Sequence, residues 1–244
     1  MPNGLIDMHT HILPGVDDGA KDEAMTRKML EDAYKNDTRI IFATPHHHPT
    51  RGHADKDTLK QAYEKTINIA SEISPDLKVL LGMEILYTHD TRDELRNNEL
   101  LSLNDSKVLL VEFNHDVDYE YLYNALRDLQ LSGYEIILAH IERYENLLGN
   151  IDDAYNIYDM GVHIQVNASS ITGENGLKTK KFVKKLLKEE LVWCIGSDAH
   201  NTDRRRPVIK QAYEYVCKKC GNKYADEIFK ENMLGVKKNE STED

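Results

Sequence analysis

His9, His11, His46, Glu84, Glu112, His140, Asp198 and His200 each stand at or just beyond the end of a short apolar run. Imidazole and carboxylate both bind metal ions and both transfer protons. Their return at one kind of position along the whole chain points to a shared centre. His9 and His11 open the series. In extended backbone their side chains leave on the same face, with Cα atoms about 6.6 Å apart. Two imidazoles at that spacing can converge on one cation. The stretch Pro14-Gly15-Val-Asp17-Asp18-Gly19 follows at once and offers a tight loop with a further carboxylate, from Asp17 or Asp18. Five histidines, Glu84, Glu112, Asp198 and one of those two aspartates make nine candidate ligands, which is too many for one ion and suits two or three. Nitrogen and oxygen donors without thiolate fit Mn, Fe, Zn or Co better than Mg or Ca. Three divalent cations outweigh four carboxylates, so the centre would attract anions. Arg143, three residues after His140, and one of Arg204, Arg205 and Arg206, soon after His200, add planar donors matched to phosphate oxygens.

The elements that must position these groups follow a regular alternation. Apolar runs at 5–11, 40–43, 79–84, 108–112, 135–140, 162–167 and 191–198 read as strands. Between and after them, helical periodicity covers 22–35, 58–73, 119–131, 146–160, 178–189, 208–218 and 224–231. Runs without polar alternation are strands covered on both faces, which predicts a parallel α/β domain. An open parallel sheet gathers ligands mainly at one switch point, whereas a closed barrel brings the C-terminal ends of all its strands to one rim. Six of the runs lead to a histidine or carboxylate and the one at 162–167 to Asn167, so the barrel is the expected architecture.

Composition narrows the function classes. The chain has 244 residues and a net charge of −11, from 31 Lys and Arg against 42 Asp and Glu. That balance disfavours a general binder of nucleic acid or anionic membranes. No apolar run reaches the length of a spanning helix, and no basic, then apolar leader opens the chain. Direct membrane insertion is not expected, and a cytoplasmic setting is. Cys194, Cys217 and Cys220 are too few for a disulfide framework. Cys217-Lys-Lys-Cys220 has zinc-ribbon spacing but no second pair, and reads as two ordinary helix positions. Residues 1–236 are expected to form one domain, followed by a polar, disordered tail at 237–244.

These residues carry a resemblance. His9-Thr-His11-Ile-Leu-Pro-Gly-Val-Asp-Asp-Gly19, Thr44-Pro-His46, Gly82-Met-Glu84, Val111-Glu112-Phe113, Ala139-His140-Ile-Glu-Arg-Tyr144, Gln165-Val-Asn167 and Ser197-Asp-Ala-His-Asn201 resemble the polymerase-and-histidinol-phosphatase (PHP) superfamily. Within it they look like the bacterial tyrosine-protein phosphatases of capsular and exopolysaccharide clusters, from about Leu5 to Asn232. The resemblance implies a distorted seven-stranded, TIM-like (β/α) barrel with a trinuclear, manganese-preferring site at the C-terminal ends of the strands. Carried across, His9, His11, Glu84 and Asp198 would hold a first metal. Glu84 would bridge to a second, with Glu112 and His140. Asp18, preferred to Asp17 because the pattern uses the second aspartate, would hold a third with His46 and His200. Arg143 and Arg205 resemble the phosphate-binding arginines; Arg205 is a choice of register within three consecutive arginines. His47 and His48 follow ligand His46 with no assigned role.

The implied reaction is metal-dependent hydrolysis of phosphotyrosine on the tyrosine-rich tail of a bacterial autokinase that regulates polysaccharide export. Rival readings are a histidinol-phosphate phosphatase or other PHP phosphoesterase, a polymerase-associated nuclease, and a metal-stabilised scaffold without catalysis. The nuclease suffers from the −11 charge, and a scaffold has no use for a phosphate clamp.

Overall fold

The computed structural model describes residues 4–236; the tail expected at 237–244 lies outside them. Strands β1 (Leu5–Thr10), β2 (Thr38–Ala43), β3 (His46–His48), β4 (Gly52–His53), β5 (Lys78–Leu81), β6 (Glu84–Leu86), β7 (Val108–Glu112), β8 (Glu135–Leu138), β9 (His163–Asn167) and β10 (Cys194–Gly196) form two hydrogen-bonded sets. One runs β1-β2-β5 and the other β10-β9-β8-β7-β6-β3-β4. All pairings are parallel except the β3–β4 hairpin.

The two sets are parts of one curled sheet. Pro45 cannot donate a backbone hydrogen bond and interrupts the strand that is β2 before it and β3 after it. Gly82-Met83 interrupts β5 and β6 in the same way. Hydrogen bonds still cross both breaks: Gly82 N–H donates to Ala43 at 2.8 Å and Glu84 N–H to Pro45 at 3.0 Å. At the other edge, Asp198 N–H donates to the His9 carbonyl at 2.8 Å and His11 N–H to that of Ala199 at 2.9 Å. Thr10 and Ala199 form a parallel bridge there. Seven strand positions therefore close around an axis as a distorted barrel, the expected architecture.

Alternate strand residues enter two apolar clusters, as a pleated strand requires. Ile40, Phe42, Val108, Leu110 and Ile137 share one with Ile6, Met8 and Cys194. Ile41, Ala43, Leu109, Val111, Ile136 and Leu138 share the other with Met29, Leu59, Leu122 and Leu126. These last four belong to the helices α1 (Glu23–Lys35), α2 (Lys56–Ile73) and α4 (Tyr119–Leu131), so the second cluster is the layer between sheet and helices and the first is the barrel interior. The helices start where a side chain can accept an otherwise unpaired amide. Asp22 accepts from Met25, Asp55 from Thr58 and Asp118 from Tyr121.

Some boundaries differ from expectation. The helix expected at 146–160 is α5 (Ile151–Asp159), because Gly149 has φ +99° and Asn150 caps the helix beyond it. The helix expected at 224–231 starts as α9 (Asn222–Asp226) and continues as a π-helical turn, Glu227–Glu231. The segments expected at 178–189 and 208–218 are α7 (Leu177–Lys188) and α8 (Lys210–Cys220). The β3–β4 hairpin and the short helices α3 (Thr91–Arg96), α6 (Ala168–Thr172) and α10 (Asn232–Leu234) are too brief to show a period.

Candidate metal centre

All nine candidate ligands meet at the rim where the strands end. His9, His11, His46, Glu84, Glu112, His140, Asp198 and His200 are buried, while the Asp18 side chain is 45% exposed. His9 Nε2 and His11 Nε2 are 3.2 Å apart, and each lies 3.2 Å from Glu84 Oε2. Asp198 Oδ1 is 3.8 Å from the first and 3.5 Å from the second. His140 Nε2 lies 2.8 Å from Glu84 Oε1 and 3.7 Å from Glu112 Oε2. Asp18 Oδ1 faces His46 Nε2 at 3.4 Å and His200 Nε2 at 3.3 Å. His46 also turns Nδ1 toward Glu84 at 2.9 Å and Glu112 at 3.2 Å.

The donor atoms form three overlapping groups, each within 4.8 Å: His11, Asp18, His46 and His200; His9, His11 and Glu84; His46, Glu84 and Glu112. The grouping differs from the expected partition in two respects: His11 and His46 each belong to two groups, and His140 and Asp198 stand beside the groups rather than in them, at 2.8 Å from Glu84 and 3.5 Å from His11. Among the described residues His46 Nδ1 and Nε2, Glu84 Oε2, Glu112 Oε1 and His200 Nε2 are buried with no hydrogen-bond partner. Buried polar atoms without partners are costly, and several of opposite type facing a common point fit divalent cations.

The electrostatics keep the carboxylates ionised. Burial works against a charged Glu84, yet His9 and His46 hold its carboxyl well below the usual range. Burial likewise opposes Asp198, and Arg143 outweighs it to keep that carboxyl ionised. Asp18, penalised by burial, is brought down to about 2 by the His200 imidazole that faces it at 3.3 Å. Burial and the charge of His11 push His200 down to about 4, whereas, against burial, Asp17 holds His11 well above its ordinary value and Glu84 raises His46 to about 9, so those two imidazoles would give up a proton to bind metal.

Groups around the ligands aim them. Asp17 is not in the cluster: its Oδ2 lies 2.8 Å from His11 Nδ1 and accepts the His46 amide at 3.1 Å, and its Oδ1 accepts from Gly19. It therefore orients a histidine, and Asp18 is the aspartate facing the centre. Gln165 Oε1 lies 3.3 Å from His9 Nδ1 and accepts the His140 amide at 2.8 Å. Gln165 Nε2 donates to Asn167 Oδ1 at 2.8 Å, and Asn167 Nδ2 donates to Asp198 Oδ2 at 3.0 Å. His140 and Asp198 both have left-handed backbones, φ 33° and 54°, a strained choice for residues with a Cβ.

Both expected arginines reach the centre. Arg143 Nη2 pairs with Asp198 Oδ2, and Arg205 Nη2 with Asp198 Oδ1 at 2.5 Å. Arg206 turns away to Asp32 at 3.4 Å. A third arginine escaped the sequence reading: Arg51, between β3 and β4, lies 3.4 Å from Glu112 Oε2. The only local signal was Gly52, where a Cβ would meet Asp17 Cβ at 2.5 Å, so the hairpin must lie close against the loop of Asp17. His47 pairs with Glu94 at 3.0 Å, and His48 Nδ1 accepts from Thr50. Cys194 is buried, and Cys217 and Cys220 are free thiols on α8.

A family model described as capsular polysaccharide synthesis, CpsB/CapC, matches residues 5–236. Tyrosine-protein phosphatase CpsB of Streptococcus pneumoniae is 33% identical over 233 residues, 93% of this chain and 96% of the relative. Tyrosine-protein phosphatase YwqE of Bacillus subtilis (strain 168) is 33% identical over 218 residues, 89% and 86% respectively. A solved structure from a study of YwqE and CpsB as metal-dependent tyrosine phosphatases superposes with a TM-score of 0.83 at 33% identity, over 90% of this chain and 89% of that one. Histidinol phosphate phosphatase of Lactococcus lactis matches at 14% identity and a TM-score of 0.56, over 91% and 94%; that likeness concerns the fold alone.

Proposed function

This chain belongs to the CpsB/CapC family of capsular polysaccharide synthesis, and on that premise we propose that it is a metal-dependent protein-tyrosine phosphatase. The observation that carries the reading is the conjunction of seven clustered nitrogen and oxygen donor residues, with His140 and Asp198 beside them, and two arginines on the same carboxylate, Asp198. Relatives of nearly equal length carry the name tyrosine-protein phosphatase.

The ions would be held by His9, His11, Glu84 and Asp198; by Glu84, Glu112 and His140; and by Asp18, His46 and His200. We assign two or three divalent ions of Mn, Fe, Zn or Co, because the donors include imidazole and carboxylate but no thiolate, and put manganese first on the resemblance to the PHP phosphatases. Bound there, such ions supply a nucleophile from water near neutral pH and neutralise charge on phosphoryl oxygens. The protein's own groups do the rest. Arg143 and Arg205 would grip the phosphoryl oxygens, since a guanidinium presents two donors in one plane. Gln165 and Asp17 would hold the Nδ1 sides of His9 and His11, leaving their Nε2 atoms facing the centre. Tyrosine, with a pKa of about 10, is a tolerable leaving group. Six residues after the three cysteines stand His200, Lys223 and Asp226 rather than the arginine of a thiol-based phosphate loop, and burial pushes the Cys194 thiol well up.

We take residues 1–236 as one catalytic unit acting on the phosphotyrosine-bearing tail of a bacterial tyrosine kinase in the cytoplasm. Among the described residues, no helix is long and apolar enough to cross a membrane. The deciding experiment compares a phosphotyrosine peptide, histidinol phosphate and single-stranded DNA with added manganese. Selective release of phosphate from the peptide is expected. Preference for either other substrate would replace this reading.

A further inference from the structure

Arg143 and Arg205 converge on Asp198, which follows β10. Arg51 Nη1 lies 3.4 Å from Glu112 Oε2, at the end of β7. In the strand order β7 and β10 are three positions apart, so round a barrel of seven these guanidinium groups approach the ligand cluster from nearly opposite sides. Glu84 lies between, 3.2 Å from His9 and His11 on the Asp198 side and 2.9 Å from His46 on the Glu112 side. The two sides share one opening. His115 is pushed below its ordinary pKa by burial and then by the charges of Arg143 and Arg51, and its ring centroid is 6.4 Å from that of ligand His140.

The contact between Arg51 and Glu112 is long, and the Arg51 side chain is 36% exposed. Among the described residues Arg51 makes no other ion pair or hydrogen bond, so most of its five N–H donors face solvent at the mouth of the centre. Glu112 is also an assigned metal ligand, and a carboxylate shared with a divalent ion attracts a guanidinium less. The hairpin holds its place without Arg51. His47 pairs with Glu94 at 3.0 Å, the rings of His47 and His53 meet at 4.3 Å, and Gly52 lies against Asp17. Arg51 is therefore carried over the centre by its neighbours, with its own side chain spent on no packing.

We propose that Arg51 is a third substrate-contacting arginine, which binds a phosphoryl oxygen from the Glu112 side while Arg143 and Arg205 hold the group from the Asp198 side. The inference rests on the phosphatase reading and adds a residue to the same site. A phosphoryl group spreads its charge over three non-bridging oxygens, and guanidinium groups give such oxygens strong, charge-assisted hydrogen bonds.

The test titrates inorganic phosphate into manganese-loaded wild type, Arg51→Gln and Arg51→Lys by calorimetry, and titrates manganese into each metal-free protein. Arg51→Gln is expected to weaken phosphate binding roughly tenfold, the lower end for a charge-assisted contact, and Arg51→Lys to recover part of the loss. Manganese should bind Arg51→Gln at least as tightly as wild type, because the competitor for Glu112 is gone. Phosphate affinity unchanged in Arg51→Gln would overturn the third contact, and so would manganese affinity that falls as far as phosphate affinity, since Arg51 would then only support the ligands. Either result leaves the phosphatase reading standing as long as the wild type hydrolyses a phosphotyrosine peptide. A wild type that binds phosphate and hydrolyses no such peptide would remove that reading, and the substrate contact with it.

Discussion

Gln165 Oε1 accepts the backbone N–H of His140 at 2.8 Å, a bond from the middle of β9 to the residue two past the end of β8. It fixes His140 where the backbone turns left-handed, and the same oxygen lies 3.3 Å from His9 Nδ1. One neutral side chain thus joins two ligands of the proposed first and second metals.

Gln165→Leu should therefore weaken metal binding although Leu cannot remove any donor. Partners behind metal ligands are worth about 10- to 100-fold in affinity. The variant also leaves the His140 amide and Asn167 Oδ1 without their partner, at about 1–3 kcal/mol of stability each. A manganese titration and a thermal melt read the two effects separately. Wild-type affinity in the variant would show that the bond only supports the fold.

Metal content gives a second check. Manganese-loaded protein is expected to carry two or three ions per chain by elemental analysis. His9→Ala and Glu84→Ala should each lose more than one equivalent, because their donor atoms lie within 3.2 Å of each other at the middle of the cluster. One ion or fewer in a folded wild-type sample would count decisively against the trinuclear arrangement.

Arg143→Lys and Arg205→Lys should keep the metal and lose turnover of phosphotyrosine. An ammonium cannot reproduce a two-donor grip, and losing one charge-assisted contact costs about 1.5–3 kcal/mol, roughly ten- to a hundred-fold in kcat/KM. If the contact tightens in the transition state the loss falls on kcat; if it is equal in both states KM alone rises. Unchanged kinetics in both variants would mean that these arginines serve only to neutralise Asp198.

Thiol chemistry is excluded by a simple pair of treatments. A variant with Cys194→Ala, Cys217→Ser and Cys220→Ser should retain most activity, and strong chelation should abolish it. Alanine is chosen at Cys194 because a hydroxyl buried there would need a hydrogen-bond partner. Activity lost in the folded triple variant, or surviving exhaustive chelation, would sink the metal-based mechanism.

Much of the fold and site is legible in the chain itself, because strand ends are local features. The run Val108-Leu-Leu-Val-Glu112 shows both its burial and the polar residue that terminates it, and Val108, Leu110 and Glu112 share one face by simple alternation. Helix starts are local too, capped by Asp22, Asp55 and Asp118 from adjoining residues, but the apolar period alone puts the second start at 58 where the helix begins at Lys56. The set of donors follows from such readings, and the resemblance sharpens it to Asp18 and Arg205.

Orientation does not follow, because it depends on partners far along the chain. Alternation along β8 would put His140 on the side of Ile136 and Leu138; its left-handed backbone, held by Gln165 from another strand, breaks that pattern. Asp17 and Asp18 are adjacent and chemically identical, and their tasks separate only because His11 lies beside one and His46 and His200 beside the other. Arg51 reaches Glu112 through a hairpin of two and three residues, too short for a periodic signal. The barrel closes through hydrogen bonds from Asp198 and His11 that join β1 to the stretch after β10, a pairing of the chain's opposite ends. Local sequence can state which residues are able to bind a metal, but convergence to a few ångströms is set by that closure and by the packing that pays for two strained backbones.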